Sequence, residues 1–135
     1  MQDRPGRKEF IRGIYHFLET DVVPALEEPL RFHTRVAANV LKIIERELDL
    51  EADHLSAELR GLKALLSKAS ASFDSSEEMR EEILKLNEAL CERIRAGEAD
   101  EGPWADRVMD HVKHTLVQKL EIANPGMITK AQTRY

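Results

Sequence analysis

The chain is short of most of what strands, staples and membrane spans are made from. Its single cysteine, Cys91, excludes an intrachain disulfide and points to a reducing compartment. Aromatic residues make up 5% of the sequence, and strands favour aromatic and β-branched side chains, so a β fold is disfavoured. Six glycines and five prolines leave long stretches with no helix breaker. No apolar run is long enough to cross a bilayer and no apolar leader opens the sequence, so we expect a soluble, cytoplasmic protein without a membrane partner. Lys and Arg nowhere form a dense run, and 25 acidic against 20 basic side chains leave a formal charge of -5. That balance disfavours a nucleic-acid partner held through its phosphates.

What is present, 42% hydrophobic and 33% charged residues, is arranged at three- and four-residue spacing. Phe10, Ile11, Ile14, Phe17, Leu18 and Val22 predict a first helix from Arg7 to about Val23, ended or kinked by Pro24. Phe32, Val36, Val40, Leu41, Ile44 and Leu48 predict a second, from Pro29 to Leu48. Asp53 is placed to cap a short third helix carrying Leu55, Leu59, Leu62, Leu65 and Leu66, which fades by Lys68 into a loop through Asp74. Ser75 with Glu78 is a capping-box pattern opening a fourth helix, with Met79, Ile83, Leu86, Leu90 and Ile94 on its buried side and Gly97 at its end. Pro103 opens a fifth, marked by Trp104, Val108, Val112, Leu116 and Leu120 and ended by Asn124-Pro125-Gly126. Five amphipathic segments with short connections must bury their stripes against one another. The expected fold is all-α, an antiparallel helical bundle occupying residues 1–126, followed by a tail of residues 127–135 that lacks a clear period.

The densest mixture of functional groups is Arg31-Phe-His-Thr-Arg-Val-Ala-Ala-Asn39. At about 100° per residue, His33 falls on the apolar side with Val36, Val40 and Ile44, while Arg31, Arg35, Lys42 and Arg46 line the other side, flanked by Asn39. The expectation is an inward His33, satisfied by a polar partner or used as a ligand. The outward cationic stripe would be solvated or would hold a phosphate, a carboxylate or an acidic partner surface. On the fifth helix Asp110 and His114 are four residues apart and could share a metal, but both point away from the Trp104-Val108-Val112 stripe, whereas bundle metal sites use inward ligands. Cys91 has no His near it in sequence, and no Gly-rich phosphate loop or nucleophile elbow occurs. No cofactor is implied, and no catalytic constellation stands out. Trp104 is suited to seating its helix or to anchoring an interface.

The opening Met1-Gln-Asp-Arg-Pro5, the Leu30-Arg-Phe-His-Thr-Arg-Val-Ala-Ala-Asn39 block, the Arg93-Ile-Arg-Ala-Gly97 turn and Lys119-Leu-Glu-Ile-Ala-Asn-Pro125 together resemble an uncharacterised family of small bacterial helical proteins. That family is encoded beside aminoglycoside-phosphotransferase-like kinases and acyl-CoA dehydrogenases. The resemblance spans nearly the whole chain, except that residues from Gly126 onward run longer than the family's usual ending. It implies a non-catalytic accessory subunit of such a kinase, acting in hydroxyacyl-CoA catabolism, with Arg31, His33, Arg35 and Asn39 as residues of interest. Two alternatives stay open at this stage. One is a metal-binding bundle enzyme or sensor using His33 with Asp110 or His111; the other is a self-associating structural module, a homo-oligomer that needs no other protein.

Overall fold

Pro24 shapes the first helix. It has no N–H to give to the carbonyl four residues back, and its ring crowds that carbonyl. In the computed structural model, which describes residues 4–69 and 73–132, α1 runs regularly over Arg7–Phe17, widens into a π-helical turn over Leu18–Val22 and closes with Val23–Ala25. Its start is tied by the Gly6 N–H, which donates to Glu9 Oε2 at 2.7 Å.

Helix α2 runs without interruption over Leu30–Leu66, 37 residues, where two helices were expected. A cap at Asp53 would need a break in the backbone. The residues before it, Leu48 to Ala52, contain neither Gly nor Pro and include good helix formers, so the two segments fuse. The helix ends at Ser67, whose φ of 54° is left-handed, and the Lys68 N–H closes the terminus on Lys63 O at 2.9 Å.

Helix α3, Ser76–Arg95, starts as the capping pattern predicts. Ser75 Oγ accepts from the Glu78 N–H at 3.2 Å, and Glu78 Oε2 reaches back to the Asp74 N–H at 3.0 Å. It stops at Gly97, with φ 85° and Glu98 N–H bonded to Arg93 O at 3.2 Å. Helix α4 covers Pro103–Ala123. After the break at Asn124, a last helix, α5, covers Pro125–Gln132; a tail without regular structure was expected there, and its final residues 133–135 lie outside the described residues. The all-α bundle is what the structure shows, with no strand among the described residues.

The chain forms two compact units, one within Met1–Leu50 and Glu121–Tyr135, the other within Glu51–Leu120. The second holds the main core: Leu59, Leu62, Leu65 and Leu66 of α2 pack with Ile83, Leu86 and Leu90 of α3 and with Val108 of α4. Leu62 is fully buried. Within this unit α4 runs antiparallel to α2, because Trp104, Arg107 and Lys119 meet Leu65, Ala64 and Glu58 in falling order. Helix α3 runs in the same direction as α2, since Arg80 with Glu51 and Asn87 with Glu58 share one offset.

The first unit is held differently. Lys8 pairs with Asp49 at 2.5 Å, Arg12 Nε donates to Glu45 at 2.9 Å, Tyr15 Oη donates to the same carboxylate at 3.0 Å, and Lys42 pairs with Glu19 at 2.6 Å. As the α1 numbers rise the α2 numbers fall, so the two helices form an antiparallel pair laced by charge. Among the described residues of this unit the buried apolar side chains are only Val23 and Ala38.

Candidate functional site

The Arg31–Asn39 block is turned over relative to the sequence expectation. His33 is exposed and stacks edge-to-face on Phe32, with ring centroids 5.7 Å apart, instead of pointing inward. Val36, Val40 and Ile44, expected in the core beside it, are also exposed. Three of the cations expected outside are half-buried and committed to neighbours. Arg31 Nε donates to Leu26 O at 2.7 Å and Arg46 Nε to Ile122 O at 2.6 Å; Lys42, paired with Glu19, also sits 5.3 Å from the Tyr15 ring centroid. Arg35 and Asn39 remain exposed, Arg35 on the opposite side of the helix from His33.

The reason is geometric. Residues 32, 36, 40, 44 and 48 repeat every four positions, and each such step carries the side chain about 40° further round the helix. Such a ladder winds off any one face. The buried side of α2 follows alternating steps of three and four, through Arg31, Thr34, Ala38, Leu41 and Glu45. The carboxylate of Glu45 ends up mostly covered, side-chain exposure 13%. Burial alone would raise its pKa, but the hydrogen bonds from Arg12 and Tyr15 and the charges of Arg12 and Lys8 outweigh that and hold it below the ordinary carboxylate value. Arg12 is raised in turn, chiefly by its bond to Glu45 and then by Tyr15.

The same drift acts on α4. Trp104 and Val108 face the core as expected, but Val112 and Leu116 emerge at 47% and 55% exposure, and His111 and Thr115 take the inward positions. These two line a groove of about 370 Å³ in the second unit, with Glu58 of α2 and Asn87, Leu90 and Cys91 of α3. Glu58 is buried, accepts from Asn87 Nδ2 at 3.1 Å and has Lys119 Nζ 3.9 Å away. The Thr115 hydroxyl is buried without a hydrogen-bond partner among the described residues. Burial depresses the His111 pKa below its ordinary value; Glu58 opposes the shift, while His114 and Lys119 add to it. The ring approaches α2 closely because residue 61 is glycine: a Cβ there would come within 2.7 Å of His111 Cε1. The groove thus offers a hydrogen-bonded carboxylate, an imidazole biased to its neutral form and an open hydroxyl on an apolar wall.

The remaining candidates fall as follows. Asp110 and His114 are exposed on α4, and among the described residues no group of three or more His, Cys, Asp or Glu is placed to hold a metal ion. The sequence also contains a Glu-x-x-His spacing, Glu51 to His54, that motif reasoning passed over; Glu51 is engaged by Arg80. Cys91 is exposed at the rim of the groove that also contains His111, a proximity sequence distance concealed. Trp104 seats its helix: its Nε1 donates to Leu65 O at 3.1 Å, and the Arg93 guanidinium lies 4.2 Å over the ring. No described helix is long and apolar enough to cross a membrane.

A family model described as a domain of unknown function, DUF6285, matches residues 24–127. The chain belongs to the DUF6285 family. The matched stretch contains the whole of α2, α3 and α4, and therefore both the turned-over block and the groove, while nearly all of α1 lies outside it. Membership in an uncharacterised family agrees with the resemblance drawn from the sequence blocks. No curated protein and no solved structure matches this DUF6285 chain.

Proposed function

We propose that this DUF6285 protein is a non-catalytic partner subunit, and that its partner is an aminoglycoside-phosphotransferase-like kinase acting in hydroxyacyl-CoA catabolism. The observation that supports a subunit role is the outward apolar face of α4, where Met109, Val112, Leu116 and Val117 are 41–55% exposed beside the groove. Exposed apolar side chains grouped on one face are a feature of surfaces that bind other proteins. The kinase rests on the resemblance of the Leu30–Asn39 block and its companion motifs. A role for Arg31, Lys42 and Arg46 in holding substrate phosphates would require them to release their present intramolecular partners. Arg35 is the exposed cation of that set.

The test is co-expression with the kinase encoded beside the gene. A stable complex with raised kinase activity, lost in a Val112→Asp, Leu116→Asp double variant that remains folded, is the expected result. Two proteins that elute separately, with kinase activity unchanged by mixing, overturn the proposal.

A further inference from the structure

The apolar ladder on the outward side of α2 has a symmetry of its own. Phe32, Val36, Val40, Ile44 and Leu48 are evenly spaced about Val40 and are 36–58% exposed. If the ladder is laid antiparallel on a copy of itself, Val40 meets Val40, Val36 meets Ile44, and Phe32 meets Leu48. The charges follow the same rule: His33 on one copy comes opposite Glu47 on the other. Both residues are exposed, and neither side chain has a hydrogen bond or ion pair among the described residues. A row of side chains at four-residue spacing is also a ridge inclined to the helix axis, and when two such ridges interdigitate at a crossing of about 50° Val36, Val40 and Ile44 form the centre of the contact while Phe32 and Leu48 flank it.

We propose that this ridge is a two-fold interface between two copies of the chain, centred on Val40. Among its described residues the first unit buries only Val23 and Ala38 as apolar core, and apart from the covered Glu45 it holds α1 to α2 through exposed ion pairs, which contribute little each. It therefore gains its hydrophobic stabilisation from what covers it. Nine large apolar side chains of α1 and of α2 before Leu50 are 36–61% exposed. The five on the ridge alone offer roughly half of the ~800 Å² that each partner brings to a standard interface. An isologous contact requires a self-complementary surface, and the pairing of His33 with Glu47 at both ends of the ridge supplies one. The proposal is independent of the kinase, which is assigned to the α4 face.

Sedimentation equilibrium of the full chain alone tests it. The wild type is expected to be a dimer at micromolar concentration. Val40→Asp, which places two like charges across the axis at a position already exposed in the monomer, is expected to weaken dimerisation by roughly a hundredfold or more with helical content unchanged. In a Cys91→Ser background, Val40→Cys is expected to oxidise to a covalent dimer and Asp106→Cys to stay monomeric. A wild type that stays monomeric at high concentration overturns the proposal, and so does a dimer indifferent to Val40→Asp. Loss of kinase binding in Val40→Asp from a monomeric wild type also overturns it and gives the ridge to the kinase.

Discussion

Gly61 sits inside α2, where alanine would ordinarily be favoured by about 1 kcal/mol. The His111 ring occupies the space a Cβ would need. Gly61→Ala should therefore lower the melting temperature despite the better helix former, and should move the His111 titration up toward 6.5 as the displaced ring gains water; thermal melts and an imidazole NMR titration read both effects. His111 also sets a pH dependence. Because its folded pKa lies below 6.5, the unfolded chain takes up the proton first, so the stability linked to the neutral ring is complete above 6.5 and is lost as pH falls through the folded value. His111→Gln should flatten that part of the stability profile in denaturant titrations. Ser67 is the converse of Gly61, a side chain at a left-handed position where glycine costs nothing. Ser67→Gly should stabilise the chain by about 1 kcal/mol, seen as a rise in melting temperature.

At the scale of the helix, whether a stripe stays on one face depends on how its steps alternate. On α2 after Leu55, apolar residues recur in mixed steps of three and four and stay buried from Leu59 to Leu66; before Leu50 the ladder from Phe32 to Leu48 recurs in fours and stays exposed, and of the apolar residues on the three-and-four side only Ala38 is buried. The face that remains for α1 is polar, and the helix pair is fastened by charge. Glu45 is its centre, receiving Arg12 and Tyr15 together. Its folded pKa is below the ordinary 4.5, so its contribution is present above that value and lost as pH falls below it. Acidification below 4.5 should release α1 from α2, followed by fluorescence of a probe on α1, and Glu45→Gln should show the loosened pair already at neutral pH. The helix ends, in contrast, were legible in the sequence: Ser75 with Glu78, Gly97 and Pro103 each act within one turn, where no distant residue can overrule them.

At the scale of the whole molecule, apolar burial among the described residues is uneven: the Glu51–Leu120 unit holds the leucine core and the other unit holds almost none. Leu62→Ala should cost about 2–5 kcal/mol, measured by denaturant unfolding, because a fully buried leucine leaves a cavity. Native-state hydrogen exchange should find the slowest amides in residues 59–66 and 83–90, with residues 32–48 exchanging faster in dilute than in concentrated protein. Helix content and most helix ends were determined by the sequence itself, since propensity, caps and breakers act between residues a few positions apart. The Leu59–Leu66 and Ile83–Leu90 stripes were too, because their spacing holds one face. Only the tertiary structure decided that His33 faces outward while Arg46 reaches Ile122, and that Glu58, Asn87, His111 and Thr115 share a groove. Those outcomes depend on which side of a drifting ladder finds a neighbour, and the neighbours come from helices 30 to 80 residues away along the chain.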